Sequence, residues 1–180
     1  MLKAISRSPA HIRAEAYLIN AEKMQTKNET EKKYSELRKK LKLPDFKDID
    51  FEFEISDLEE TNFLLRAIIR RIAEKLDFYT TVLEEILQPD TSNLYAMHET
   101  RFFDEDEKKL MYELYSKLMA VNRRTIELSL EHNEKDEAEF INSFFNEWKP
   151  INKEMLSYVK KIRLSWKSDT DIKEDLGYLG

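Results

Sequence analysis

Glycine is almost missing from this 180-residue chain: Gly177 and Gly180 are the only two. Glycine supplies positive-φ turns and lets backbone approach a phosphate or a cofactor closely. The preceding residues therefore hold no Walker A loop, dinucleotide fingerprint, nucleophile elbow or glycine-turned calcium loop, because each needs glycines at set positions. Cysteine is absent altogether, which removes disulfides, thiolate zinc sites and cysteine nucleophiles. No stretch approaches the roughly 20 apolar residues of a membrane-spanning helix. The opening Met1-Leu2-Lys3-Ala4-Ile5-Ser6-Arg7-Ser8-Pro9 has no apolar run of signal-peptide length. A soluble, cytoplasmic protein is expected. An excess of positive charge is missing too: the net charge of −6 gives no global basic footprint for nucleic acid.

What is present is helical vocabulary around a sizeable core. Hydrophobic residues make up 41% and charged ones 37%, with 10 Phe, 8 Tyr and 2 Trp. Disordered chains lack that aromatic content, so the chain folds. Four prolines, Pro9, Pro44, Pro89 and Pro150, punctuate it. Ser8-Pro9 starts a first helix to about Leu41, with Tyr17, Ala21, Met24, Tyr34, Leu37 and Leu41 on one face. Asn28-Glu29-Thr30-Glu31 offers a second cap, and hence a possible break near Lys27.

The capping box Ser56-Asp57-Leu58-Glu59 predicts the head of a second helix. Leu58, Asn62, Leu65, Ile69, Ile72, Leu76, Tyr79, Leu83 and Ile86 then alternate at spacings of four and three, the pattern of a packed seam. A third helix is predicted from Asp104-Glu105-Asp106-Glu107 to about Glu131, with a turn at His132-Asn133. A fourth follows Ile141, Phe145, Trp148, Asn152, Met155, Val159, Ile162 and Trp166, with Phe144, Ile151 and Tyr158 beside them. Pro150 is expected to kink or split it. The expected fold is all-α: four long helices in an antiparallel bundle or close variant. Residues 1–167 form a single helical domain in this reading, and 168–180 a flexible acidic tail.

Ile49-Asp50-Phe51-Glu52-Phe53-Glu54-Ile55 alternates apolar and acidic residues, a strand pattern. One strand needs a partner, and Asn93-Leu94-Tyr95-Ala96-Met97 is the other candidate. The segment either packs on the end of the bundle as a linker or meets another chain. Ile49, Phe51, Phe53 and Ile55 are thus candidate partner contacts, with Tyr178 in the tail.

Catalytic and metal chemistry find little support. A di-iron bundle needs Glu-x-x-His motifs, but Ser8, Tyr95 and Ser129 precede His11, His98 and His132 by three. A haem held by a pair such as Met24 and His132 is formally possible, yet methionine at helical spacing is ordinarily core filling. Glu59/Glu60 and Glu84/Glu85 read as solvated flanks. Asn62 and Asn152 interrupt apolar seams as register devices between helices. No cofactor, metal ligand or catalytic residue is expected.

Charge is unevenly placed. Lys23–Lys42 holds eight basic and three acidic residues, a net +5, while Asp45–Glu60 holds eight acids and one lysine, a net −7. Ion pairing between these neighbours is one reading. Phosphate contact is the other, through Lys32, Lys33, Arg38, Lys39 and Lys40 with Arg66, Arg70 and Arg71 of the second helix.

Three stretches resemble the helical domain of archaeal GINS subunits. They are Tyr34-Ser35-Glu36-Leu37-Arg38 to Leu43-Pro44-Asp45-Phe46, Leu65-Arg66-Ala67-Ile68-Ile69-Arg70-Arg71 to Lys75-Leu76, and Asp104-Glu105-Asp106-Glu107-Lys108-Lys109-Leu110-Met111-Tyr112. The likeness covers about half the chain. Lys47 stands where that family has Tyr, and residues 134–167 read as helix where many such subunits carry a small β domain. The resemblance implies a non-catalytic assembly subunit of a replication complex. The sequence thus leads to an interaction protein with a protein partner or a second copy of itself, and nucleic acid as the alternative.

Overall fold

The computed structural model describes residues 27–58 and 62–167, and these are all-helical. Helix α1 occupies 27–41, α2 Phe46–Phe53, α3 Leu64–Leu87, α4 Leu94–Thr100, α5 Glu105–Glu131 and α6 Glu134–Ser165, with a 3-10 turn at Ile55–Asp57. None of these helices is long and apolar enough to cross a membrane. Two compact units divide the chain. The first takes residues up to Ile72 with His132–Ser143, the second Ala73–Glu131 with the residues from Phe144 onward.

In the first unit, α1 closes at Lys42, whose φ is 55° and whose N–H donates to Arg38 O at 2.9 Å. Two further helix ends use a left-handed residue, Glu54 after α2 and His132 between α5 and α6. With glycine absent, each turn is made by a side-chain-bearing residue. Asp45 caps α2, its carboxylate accepting from Lys47 N at 3.0 Å. Tyr34 is fully buried, packs its ring against Phe46 at 5.5 Å and donates its hydroxyl hydrogen to Pro44 O at 3.0 Å.

The segment at 49–55, read above as extended, is helix and 3-10 turn. Alternation and helical spacing coincide there: Phe46, Ile49 and Phe53 also stand three and four apart, and these three are buried while Phe51 is not. A cap at each end tips the choice, and Asp50 Oδ1 accepts from Ser56 N at 2.7 Å to wind the chain onward. That winding also displaces the expected start of the second helix. Leu58 stays extended, its carbonyl accepting from the buried Thr30 hydroxyl at 3.2 Å, and α3 begins at Leu64. Asn62, expected within the seam, is exposed and accepts from Lys33 Nζ at 3.3 Å. The predicted seam is otherwise sound, since Leu65, Ile69, Ile72, Leu76, Tyr79, Leu83 and Ile86 are all buried.

In the second unit, the candidate strand Asn93–Met97 is instead α4, because Asn93 caps it by accepting from Tyr95 N. The predicted box at α5 is formed reciprocally: Glu107 N donates to Asp104 Oδ1 at 2.8 Å, and Asp104 N to Glu107 Oε2 at 3.0 Å. Helix α6 runs unsplit through Pro150. Pro150 and Asn146, whose carbonyl loses its helical donor, are both exposed, which leaves the freed acceptor on the solvent side of the helix. The buried stripe of α6 also differs from the expected one. Ile141, Trp148 and Met155 are buried, as are Phe144, Ile151 and Tyr158 beside them, but Val159 and Trp166 are exposed.

Beside α4, three longer helical stretches assemble this unit. Glu107 pairs with Lys161, and Lys117 with Glu147 at 2.6 Å, so α5 and α6 run antiparallel. Lys75 lies over the Trp148 ring and Tyr79 bonds Asn152, so α3 and α6 run parallel. Tyr79 stacks on Trp148 at 5.3 Å with 15° between planes.

Candidate functional site

Of the four described residues proposed as partner contacts, three are unavailable. Ile49, Phe53 and Ile55 are buried in the first unit, where they hold α2 and the 3-10 turn in place. Phe51 is 84% exposed, the most exposed large hydrophobic residue described. It stands on a helix fixed at both ends, so its ring is presented rather than left on a loose loop. Tyr178 lies outside the described residues, as do the tail at 168–180 and the first half of the first helix.

The basic candidates are dispersed, and their neighbours are acidic. Arg38 donates to Leu43 O at 3.3 Å and pairs with Asp45 at 3.0 Å; Lys27 lies 3.8 Å from Asp50. These two contacts are the ion pairing expected between the basic helix and the acidic segment. Lys32, Lys39 and Arg70 are exposed, while Arg71 is half-buried. Lys32 and Lys39, seven apart, share a helix face that Arg38 does not.

Lys33, Lys40 and Arg66 do come together. They line a groove of about 460 Å³ in the first unit with Asn62, Phe63, Leu37, Leu64 and Leu65. Glu36, Glu134 and Glu137 line the same groove, so three cations face three carboxylates. Glu137 is only 4% exposed and accepts from Arg66 Nε at 3.0 Å. Arg66 also lies over the Phe63 ring, 4.9 Å from its centroid. Its guanidinium is thus occupied on an edge and a face. Phosphate binding needs uncompensated cations, and this groove neutralises its own. Sequence reading missed Glu134 and Glu137 because they arrive from about seventy residues beyond Arg66.

The shifted ionisable groups elsewhere have local causes. Burial raises the Tyr34 phenol above its ordinary value of 10.0, with Arg38 opposing and Asp45 reinforcing. Among the described residues the phenol donates to a backbone carbonyl and accepts from none, the arrangement of a packing tyrosine. Two hydrogen bonds from Ser92 lower the exposed Asp90, an Asx turn after α3. His98 is buried on α4, 4.4 Å from the Trp166 ring and 5.1 Å from Phe102, with no hydrogen bond at Nε2. Among the described residues no group of three or more His, Asp or Glu side chains could hold a metal ion. No family model matches this chain, nor does any curated protein or solved structure.

Proposed function

We propose that this protein is a non-enzymatic interaction or assembly subunit that works through helix surfaces. The observation that carries the reading is Phe51: fully presented, on a capped helix whose other apolar residues are all in the core. A large aromatic held in water by a rigid scaffold contributes nothing to folding and offers an anchor to a partner. A cytoplasmic protein built of long helices suits such a role. A GINS-like subunit would be one specific form of it, resting on the three stretches named above.

A nucleic-acid accessory role is the second reading. It is supported by the convergence of Lys33, Lys40 and Arg66 and weakened by the three glutamates among them. The deciding experiment is purification of the tagged full chain from its own cells, beside a Phe51→Ser variant. Recovery of a stoichiometric protein with wild type, and its loss with Phe51→Ser, is expected. Recovery of nucleic acid alone, released by salt, would replace the first reading with the second. Recovery of the free chain alone would overturn the assembly role.

A further inference from the structure

Helix α5 carries two apolar stripes. One faces the core through Met111, Leu114, Leu118, Thr125 and Leu128. The other consists of Tyr112, Tyr115, Met119, Ile126 and Leu130, spaced three, four, seven and four apart. At 100° per residue these five fall within roughly 60°, about 115° round the helix from the core stripe, and they extend about 27 Å along it. Tyr112 is 60% exposed, Ile126 45% and Leu130 76%, while Tyr115 and Met119 are half-buried. A helix needs one buried face to dock in its own fold; of the second, Tyr112, Ile126 and Leu130 stay exposed among the described residues.

We propose that this second stripe is the interface between two antiparallel copies of the chain. The partner is specified by charge. Lys109, Glu113, Arg123 and Glu127 border the stripe on one side. A two-fold axis level with residue 118 sets Lys109 across from the partner copy's Glu127, and Glu113 across from its Arg123. Both pairs have the same midpoint, so one register satisfies them together, and symmetry doubles them. The same register brings Tyr115 beside the other copy's Met119 and Ile126 beside its Tyr112. Parallel two-fold pairing would instead turn this border toward the opposite border of the other copy, so these four charges would not meet each other. Among the described residues Lys109, Glu113 and Arg123 make no ion pair, which leaves them for this use; Glu127 already accepts from Arg124 at 2.8 Å and has a second oxygen. An isologous contact of this kind is the commonest closed assembly.

The inference rests on the assembly reading but is tested apart from it. Sedimentation velocity of the full chain across the micromolar range should give a dimer. Met119→Glu with Ile126→Glu should give a monomer of unchanged helical content. Lys109→Glu should weaken the dimer about tenfold, since it places like charges at two symmetry-related sites. Adding Glu127→Lys should restore it. A dimer that survives the stripe variant, or a charge reversal without rescue, overturns the proposal. A wild-type monomer also overturns it and assigns the stripe to another protein or to this chain's own terminal residues; the assembly reading then stands or falls on recovery from cells with Phe51 intact.

Discussion

The Tyr79 hydroxyl donates to Asn152 Oδ1 at 2.9 Å, joining α3 to α6 in the second unit where the same tyrosine ring stacks on Trp148. A half-buried asparagine in an apolar stripe is satisfied at one register only, because a slip by a turn leaves its amide against hydrocarbon. Tyr79→Phe keeps the ring and loses the bond, so it should cost about 1 kcal/mol in urea unfolding. The double variant with Asn152→Ala should cost less than the two singles summed. Strict additivity would show that the two side chains are not coupled.

Glu137 is a carboxylate almost wholly removed from water and held by one arginine. Arg66→Met leaves it without its cation. Breaking a fully buried pair costs about 3–5 kcal/mol; Arg66 is about a third exposed, so about 2 kcal/mol is expected here. Glu137→Leu added to Arg66→Met should recover most of that loss, because the stranded charge goes with it. Stability measured on the two singles and the double decides the point, and a double worse than Arg66→Met would show that Glu137 matters beyond the pair.

Alkaline stability should track Tyr34. Its folded pKa is raised by burial above the ordinary 10.0, so the fold favours the neutral phenol. That contribution is complete below pH 10 and is lost as the unfolded chain's tyrosine ionises above it. Tyr34→Phe should therefore flatten the decline in unfolding free energy above pH 10, while lowering stability at neutral pH by the lost bond to Pro44 O. An equally steep alkaline decline in the variant would assign it to other groups.

Phe51 and Phe53 are two residues apart and should behave oppositely. Phe51→Ser touches no packing, so its unfolding midpoint should stay within about 0.5 kcal/mol of wild type. Phe53→Ser empties a core position and should cost about 3–5 kcal/mol. Equal costs in thermal or urea unfolding would mean that Phe51 is packed in solution.

Where a boundary is set by its own neighbours, the sequence was a good guide. Asp104 and Glu107 are three apart and cap each other, so α5 begins where they stand and ends at Glu131, before the left-handed His132. Where a distant group decides, it was not. The capping box at Ser56 reads well as sequence, but Ser56 stands inside a 3-10 turn with its N–H given to Asp50, Thr30 donates to the Leu58 carbonyl from twenty-eight residues earlier in the chain, and α3 begins at Leu64. At Phe46–Phe53 two periods fit the same residues, and the caps at Asp45 and Glu54 separate them. The groove shows the same division: Lys33 and Lys40 are legible as a helix face, whereas Glu134 and Glu137 come from the start of α6. The second stripe of α5 was present in the spacing, hidden behind a stronger seam on the same helix.

The left-handed residues Lys42, Glu54 and His132 hold an unused reserve of thermal stability. Each carries a side chain at a φ between 52° and 55°. That conformation costs an ordinary residue about 1–2 kcal/mol, while glycine's wider unfolded freedom costs about 0.4–1 kcal/mol. Glycine at these three helix ends should therefore raise the melting temperature, the reverse of its effect at almost any other position in this chain. The scarcity of glycine is thus a concession at three turns, and those turns are the first places to engineer.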